Sequence, residues 1–334
     1  MKKIGIVLFL LLGLLSCDNT LDVVEPMGDL PIIYGLLDPS SDAQYIRIER
    51  AFVDPEVSAL IIAQDVDSLY YPETATAFIT NNLNDDVIPL TRINGNLQGL
   101  VRDEGVFAQD PNYLYTVDSD SLNIDLEGQY TLNLDRGDEL PLVTASTNIV
   151  GVSRFISPNP LSPDPRLAFL PNDDTGIAMS VHPNGQIYDL SLEIFYVERM
   201  PGENFETRSF TWDLATNLRR SESGTNVIRF EQLGDEFFAV MAARIPVVEG
   251  IQRRFSSMNL HLSGANSILE EFLRVGQANL GITSTQDIPF FDNLSEGRGI
   301  FASRNTTSLF EIRLSGVSED ELINGPITNQ LGFE

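Results

Sequence analysis

One cysteine, two histidines, one tryptophan and no lysine after Lys3 are the scarcities of this 334-residue chain. A lone thiol, Cys17, forms no intrachain disulfide. With His182 and His261 as the only imidazoles, the nitrogen and sulfur ligand sets of zinc sites cannot be assembled. A serine nucleophile would have only those two histidines as a base. His182 precedes Pro183 and reads as a turn residue. His261, in Met258-Asn259-Leu260-His261-Leu262, falls at a half-exposed strand position. No G-x-S-x-G elbow, phosphate loop or G-x-G-x-x-G run after a strand occurs, so the commonest hydrolase and nucleotide-enzyme signatures are missing. No catalytic residue is assigned, and the chain reads as non-enzymatic.

Positive charge is equally scarce. The formal net charge is -27, from 21 basic and 48 acidic residues. Removing Lys2 and Lys3 leaves 19 arginines and a charge of -29. Phosphate recognition needs a basic footprint, so nucleic acid is excluded as a partner and an anionic lipid surface would repel the body. The carboxylates are too many for any pair to be informative. Asp65 with Asp67, and Asp118, Asp120 and Asp125, offer oxygens suited to calcium. The second group departs from the EF-hand pattern at Leu122 and Asn123, and solvated turn acids are the simpler reading. A loop calcium stays open as an alternative; no metal ligand and no other cofactor is assigned.

What the chain does have begins at its N-terminus. Met1-Lys2-Lys3 is a positive start, residues 4–15 form an apolar run, and Leu14-Leu15-Ser16-Cys17 places a small residue before the cysteine. This is a bacterial lipobox within a signal peptide, residues 1–16. The run is shorter than the roughly 20 residues that span a bilayer, so it reads as a cleaved signal and not a permanent helix. Cys17 is the expected lipidation site, with residues 17–27 as a lipidated tether holding the protein to a membrane.

Beyond the tether the pattern is mainly β. Residues 32–37 and 45–50 alternate and are separated by Asp38-Pro39-Ser40-Ser41-Asp42, a turn sequence. Further runs cover 74–80, 87–93, 113–117 and 129–134, with Asn94-Gly95 a hairpin-type turn. A short helix is expected to start at Asp54-Pro55. Later runs cover 177–181, 187–197, 209–212, 226–230 and 237–245, with a hairpin signal at His182-Pro183-Asn184-Gly185. One amphipathic helix is expected at about 267–275, opened by a capping box from Ser267 to Glu270. Four prolines in residues 157–165 suggest an extended connector. The expected architecture is two β-sandwich-like modules, 28–152 and 166–326, joined by a proline-rich linker over 153–165.

The lipobox at Cys17, Pro31-Ile32-Ile33-Tyr34-Gly35-Leu36-Leu37-Asp38-Pro39 leading to Tyr45-Ile46-Arg47-Ile48, then Asp67-Ser68-Leu69-Tyr70-Tyr71, and Gly297-Arg298-Gly299-Ile300-Phe301-Ala302-Ser303-Arg304 carry a resemblance. Together they resemble an uncharacterised family of Bacteroidota outer-membrane lipoproteins, often encoded beside TonB-dependent receptors. The resemblance covers nearly the whole chain. It implies a β-rich, lipid-anchored outer-membrane protein, displayed at the cell surface, acting as an accessory or ligand-binding partner of a β-barrel receptor. A structural or adhesive surface lipoprotein is the second reading and a divergent hydrolase the third. Concentrated positive spots at Arg253 and Arg254, and at Arg298 and Arg304 around flexible glycines, are the candidate ligand or partner contacts. Internal salt bridges are the alternative reading for the first pair, and a structural hairpin for the second.

Overall fold

The computed structural model describes residues 30–51, 57–137, 140–220, 225–279 and 289–334, and within them the protein is mainly β. The signal peptide, Cys17, the whole tether and the helix start expected at Asp54-Pro55 lie outside the described residues.

The first half contributes β1 (Pro31–Leu37), β2 (Ala43–Arg50), β3 (Thr76–Asn81), β4 (Asp86–Pro89), β5 (Thr91–Asn94), β6 (Tyr113–Asp118), β7 (Gln129–Asp135) and β8 (Val143–Asn148). The second contributes β9 (Arg154–Ser157), β10 (Arg166–Leu167), β11 (Asp174–Ser180), β12 (Ile187–Arg199), β13 (Glu206–Arg219), β14 (Val227–Leu233), β15 (Gln252–Ala265) and β16 (Arg298–Leu314). A nine-stranded sheet runs β13-β12-β15-β16-β1-β2-β6-β5, with β10 also on β16. A four-stranded sheet, β4-β3-β7-β8, faces one end of it, and a three-stranded sheet, β14-β11-β9, faces the other.

Alternation explains the layering, because every second side chain of a strand points to the same face. Ile33 and Leu37 of β1, and Ile46 and Ile48 of β2, meet Ile79, Leu132 and Leu134 of the four-stranded sheet in one core. Leu190, Leu192, Ile194, Met258, Leu260 and Leu262 meet Ile177, Met179 and Ile228 in the other. The second core is closed by helix α1 (Gly234–Arg244), whose Phe237 stacks on Phe169 at 4.4 Å between ring centroids. Helix α2 (Ser267–Asn279) lies outside both cores, over the back of β16 and β1, where Phe272 meets Tyr34 edge-on at 6.2 Å.

β16 belongs to both sandwiches. Its 17 residues span roughly 55 Å at about 3.3 Å per residue. Residues 298–303 pair parallel with β1 and put Phe301 in the first core. Residues 304–312 pair antiparallel with β15, and Ile312 and Leu314 fill the second core. Gly299 sits opposite Ile33 at φ +114°, and a Cβ there would stand 1.9 Å from the Ile33 carbonyl oxygen. Gly297, at φ +111°, packs the same way on Pro31. The glycines flanking Arg298 therefore let two backbones approach and do not mark a hairpin.

Several local expectations are corrected. Residues 237–245, read as a strand, are helical: Phe237, Phe238, Met241 and Ile245 are buried at helical spacing along α1 and its C-cap. Arg154–Ser157, assigned to the linker, is strand β9, because its backbone pairs with β11. The run 87–93 breaks at Leu90 into β4 and β5, which join different sheets, and Pro89 has no N–H to continue a ladder. Asn94-Gly95 is not a hairpin turn; Asn94 accepts a hydrogen bond from the Asn96 N–H and starts a 3-10 turn. The turn at His182-Pro183-Asn184-Gly185 closes with a 3.0 Å bond from the Gly185 N–H to the His182 carbonyl, but it links β11 to β12 across layers and not within one sheet. α2 extends to Asn279, and its cap is Asn266, whose Oδ1 accepts from the Leu269 N–H at 3.2 Å, one residue before the expected Ser267.

The shared strand generates two expected outcomes. Gly299→Ala is expected to cost about 3 kcal/mol or more in denaturant unfolding, from backbone strain plus a clash with β1. A cost below about 1 kcal/mol would show that β1 and β16 do not approach this closely. Limited proteolysis within 157–165 should give two fragments that co-elute under native conditions and separate only in denaturant. Fragments that part on native chromatography would show that β16 does not hold β1.

Candidate functional site: an arginine and tyrosine cleft

The four arginines singled out in the sequence are not gathered by the fold. Arg253 is only 1% exposed. Its Nε donates to Glu198 Oε2 at 2.9 Å and its Nη1 to the Leu331 carbonyl at 2.6 Å. A buried guanidinium needs that pairing, so Arg253 clamps the C-terminal segment and is not presented to a ligand. Burial pushes the Glu198 carboxyl up, yet hydrogen bonds and charge from Arg253 and Arg208 outweigh it and hold the group below its ordinary range. Arg254 is exposed, pairs with Glu334 at 2.8 Å and lies 5.0 Å from the Phe205 ring. Arg298 covers Phe290 at 3.9 Å and reaches Asp292 at 3.3 Å.

Of the four, Arg304 lines a cleft. Its Nε donates to buried Asp38 at 2.9 Å, at the floor of an opening of about 430 Å³ between α2 and β1–β2. Leu269 and Phe272 form one wall, Tyr34 and Tyr45 the other.

The histidines have structural partners. His182 accepts from the Asn184 N–H at Nδ1, 3.3 Å away, and its Nε2 lies 3.1 Å from Glu127 of the first half. His261 Nδ1 is 2.7 Å from Ser308 Oγ, and its Nε2 is 3.7 Å from Glu193 Oε2. This serine–histidine–glutamate line across β16, β15 and β12 was not anticipated from the sequence. The carboxylate stands beyond hydrogen-bond reach, so the bond that orients the base in a hydrolytic triad is not made. Asp65 caps a helical turn by accepting from the Ser68 N–H, and Asp125 accepts from the Glu127 N–H. Among the described residues no three His, Cys, Asp or Glu side chains converge on a point suited to a metal ion.

The most developed site is one that sequence reasoning missed. Residues 18–165 contain six arginines, and four of them, Arg47, Arg50, Arg92 and Arg102, converge where β2, β5 and β6 meet the segment 66–73. Arg47 and Arg102 share buried Glu49. Arg50 and Arg92 have no carboxylate within 4.0 Å among the described residues. Arg92 donates to the Tyr71 carbonyl at 2.8 Å and lies 3.8 Å above the Tyr113 ring. Arg50 donates to the Asp67 carbonyl, stands 5.7 Å from the Tyr71 ring, and has a buried Nε with no hydrogen-bond partner.

Two adjoining hollows, of about 350 and 390 Å³, share Glu73, Arg92 and Tyr113. Leu90, Ala75 and Tyr115 line the first; Arg50, Tyr70 and Tyr71 line the second. Tyr115 is 4% exposed and its hydroxyl has no hydrogen-bond partner among the described residues. Burial raises its pKa above the ordinary phenol value against the opposing charge of Arg92, so at neutral pH it is an uncharged donor. Burial likewise raises Tyr70, which Arg102 partly offsets. The available signal was compositional: arginines spent in the most acidic half, and tyrosines at 70, 71, 113 and 115.

No protein-family profile matches the chain, and no curated protein matches it. Among solved structures, the C-terminal globular domain of an oligosaccharyltransferase from Pyrococcus abyssi is matched at 13% identity over 85% of this chain, with a TM-score of 0.20. The chain spans 48% of that protein's length.

Proposed function

We propose that this is a non-enzymatic, lipid-anchored protein of the bacterial outer membrane that binds a ligand in the arginine and tyrosine cleft and assists a TonB-dependent receptor. The observation that carries the binding part is the pair of guanidiniums, Arg50 and Arg92, which have no carboxylate partner among the described residues and stand at an open cleft in an acidic chain. Their only hydrogen-bond acceptors among the described residues are backbone carbonyls, which leaves donor capacity facing the opening.

The anchoring part rests on the lipobox at Cys17 and on the family resemblance, and the place where the chain enters the fold suits a tether. Leu30 stands at that entry: its carbonyl accepts from the Ala51 N–H at 2.8 Å, and the chain passes into β1 between β2 and β16. An anchored chain would thus load an inner strand of the largest sheet. Pro31 pairs with Arg50, so β1 begins beside the arginine end of the cleft. Thirteen residues from Cys17 to Leu30 reach at most about 45 Å, enough to hold the body off the bilayer.

Cys17→Ser is expected to move the protein from the membrane fraction to the soluble fraction after a high-salt wash. Affinity purification of the wild type from detergent-solubilised envelope should then recover a β-barrel, and protease added to intact cells should degrade the protein while a periplasmic control survives. Membrane retention of Cys17→Ser would remove the lipid anchor from the account. Purification without a barrel would remove the receptor.

A further inference from the structure

Resting on the binding role proposed above, we infer that the cleft takes a small organic carboxylate, held by Arg92 and Arg50 with the Tyr115 hydroxyl donating to it. Three independent features of the cleft lead there. The first is charge. In a chain with 48 acids against 21 bases, most of the arginines pair with a carboxylate, as Arg47, Arg102, Arg208, Arg253 and Arg254 do. Arg50 and Arg92 are held instead by carbonyls and ring faces, which position a cation without neutralising it. Arg47 and Arg102 beside them take up Glu49 and leave it no role in discharging the cleft.

The second feature is the orphaned donor. The Tyr115 hydroxyl is buried, uncharged and unpartnered, and the wall it belongs to is shared with Arg92. A buried hydroxyl without a partner is destabilising, and its retention makes sense when a ligand oxygen completes it. The third is shape and lining. Each hollow is of ligand size, at about 350 and 390 Å³, and Leu90, Ala75 and Ile93 give the first an apolar wall for an uncharged remainder.

A carboxylate fits better than a phosphate for two reasons. The planar guanidinium fork matches a planar carboxylate two bonds at a time. A phosphate dianion would also bring a second charge toward a protein of net charge -27 whose cleft rim carries exposed Glu73 and Asp67, and long-range repulsion scales with that charge.

The test uses the full mature chain with Cys17→Ser, by thermal shift and calorimetry at fixed ionic strength. The probes are acetate, succinate, L-glutamate and D-galacturonate, with chloride, inorganic phosphate and D-galactose as comparators. At least one acid should raise Tm above the chloride baseline and bind at least tenfold more tightly than phosphate or galactose. Arg92→Gln should weaken that acid tenfold or more. Tyr115→Phe removes a hydroxyl with no hydrogen-bond partner among the described residues, so the unliganded Tm should hold or rise while affinity falls three- to tenfold. A purely structural tyrosine would not separate these two readouts, and the variant stands as the test even where Arg92→Gln misfolds. Absence of any carboxylate effect, equal binding of phosphate or galactose, or acid binding untouched by Tyr115→Phe would each overturn the inference. Such a result with barrel co-purification intact would discard the carboxylate alone. Loss of co-purification would discard the receptor role, whatever the acids do.

Discussion

Asp38 and Arg304 are 266 residues apart in sequence and 2.9 Å apart in space, because the start of β16 lies parallel to β1. That pairing closes the largest loop in the chain. Its entropic cost grows only slowly with loop length, whereas the contacts it creates grow with every residue of register. Phe301 completes the first core only when this register is made, and the glycines at 297 and 299 are required by the same approach of backbones. The second core depends on the far half of the same strand. A single long β16 thus makes the two sandwiches share a sheet. The first core is therefore complete only with a strand encoded near the end of the chain, a topology of high contact order that favours slow assembly.

The junction between the sandwiches is polar, and most of its groups are paired. Asn266, buried at the start of α2, donates to Thr147 Oγ1 at 2.8 Å and to the Asn148 carbonyl at 3.2 Å. The Val150 N–H donates to Ser303 Oγ at 3.0 Å, Asn184 donates to the Ile149 carbonyl at 2.8 Å, and Thr307 donates to the Ser153 carbonyl at 3.0 Å. Residues 147–153 therefore run as a strip whose backbone is read by side chains from β16, α2 and the 182–185 turn. An apolar seam would allow sliding. Directional bonds at these spacings admit one arrangement, and breaking one strands a buried group.

Strand alternation was legible wherever one face is core and the other is not. Residues 32–37, 45–50, 129–134 and 187–197 show it and form strands. Phe237 to Ile245 misled because a short apolar run has no decisive period; alanines at 239, 242 and 243 and the spacing of Phe238, Met241 and Ile245 favour the helix that forms. Strand partners were not legible. Nothing local to residues 298–304 states that they lie against residues 32–37, and the two hairpin signals failed for different reasons: Asn94-Gly95 opens a 3-10 turn and a longer loop before β6 pairs with β5 in the same sheet, whereas the 182–185 turn sends the chain to another layer. The site was harder still. Arg253 drew attention by adjacency to Arg254 and turned out to be buried beneath the C-terminal segment, whereas Arg50 and Arg92 are separated by some forty residues and become neighbours only through the pairing of β2 with β6 and of β6 with β5.

The absence of lysine after Lys3 is intelligible in the same terms. Arg92 on Tyr113, Arg102 on Phe107, Arg199 on Phe205 and Arg298 on Phe290 each place a guanidinium 3.8 to 4.9 Å from a ring centroid. A flat, weakly hydrated cation can lie on a ring and still use its edge N–H groups. A compact ammonium has neither the plane nor the fork. In a chain this acidic, a flexible lysine would be drawn to the nearest carboxylate. An arginine stacked on a ring and tied to a carbonyl is held where it is, with its charge unspent. Arg92 is held in this way at the opening between two hollows, beside the Tyr115 hydroxyl, which has no hydrogen-bond partner among the described residues, and that combination is what the proposed binding of an anion rests on.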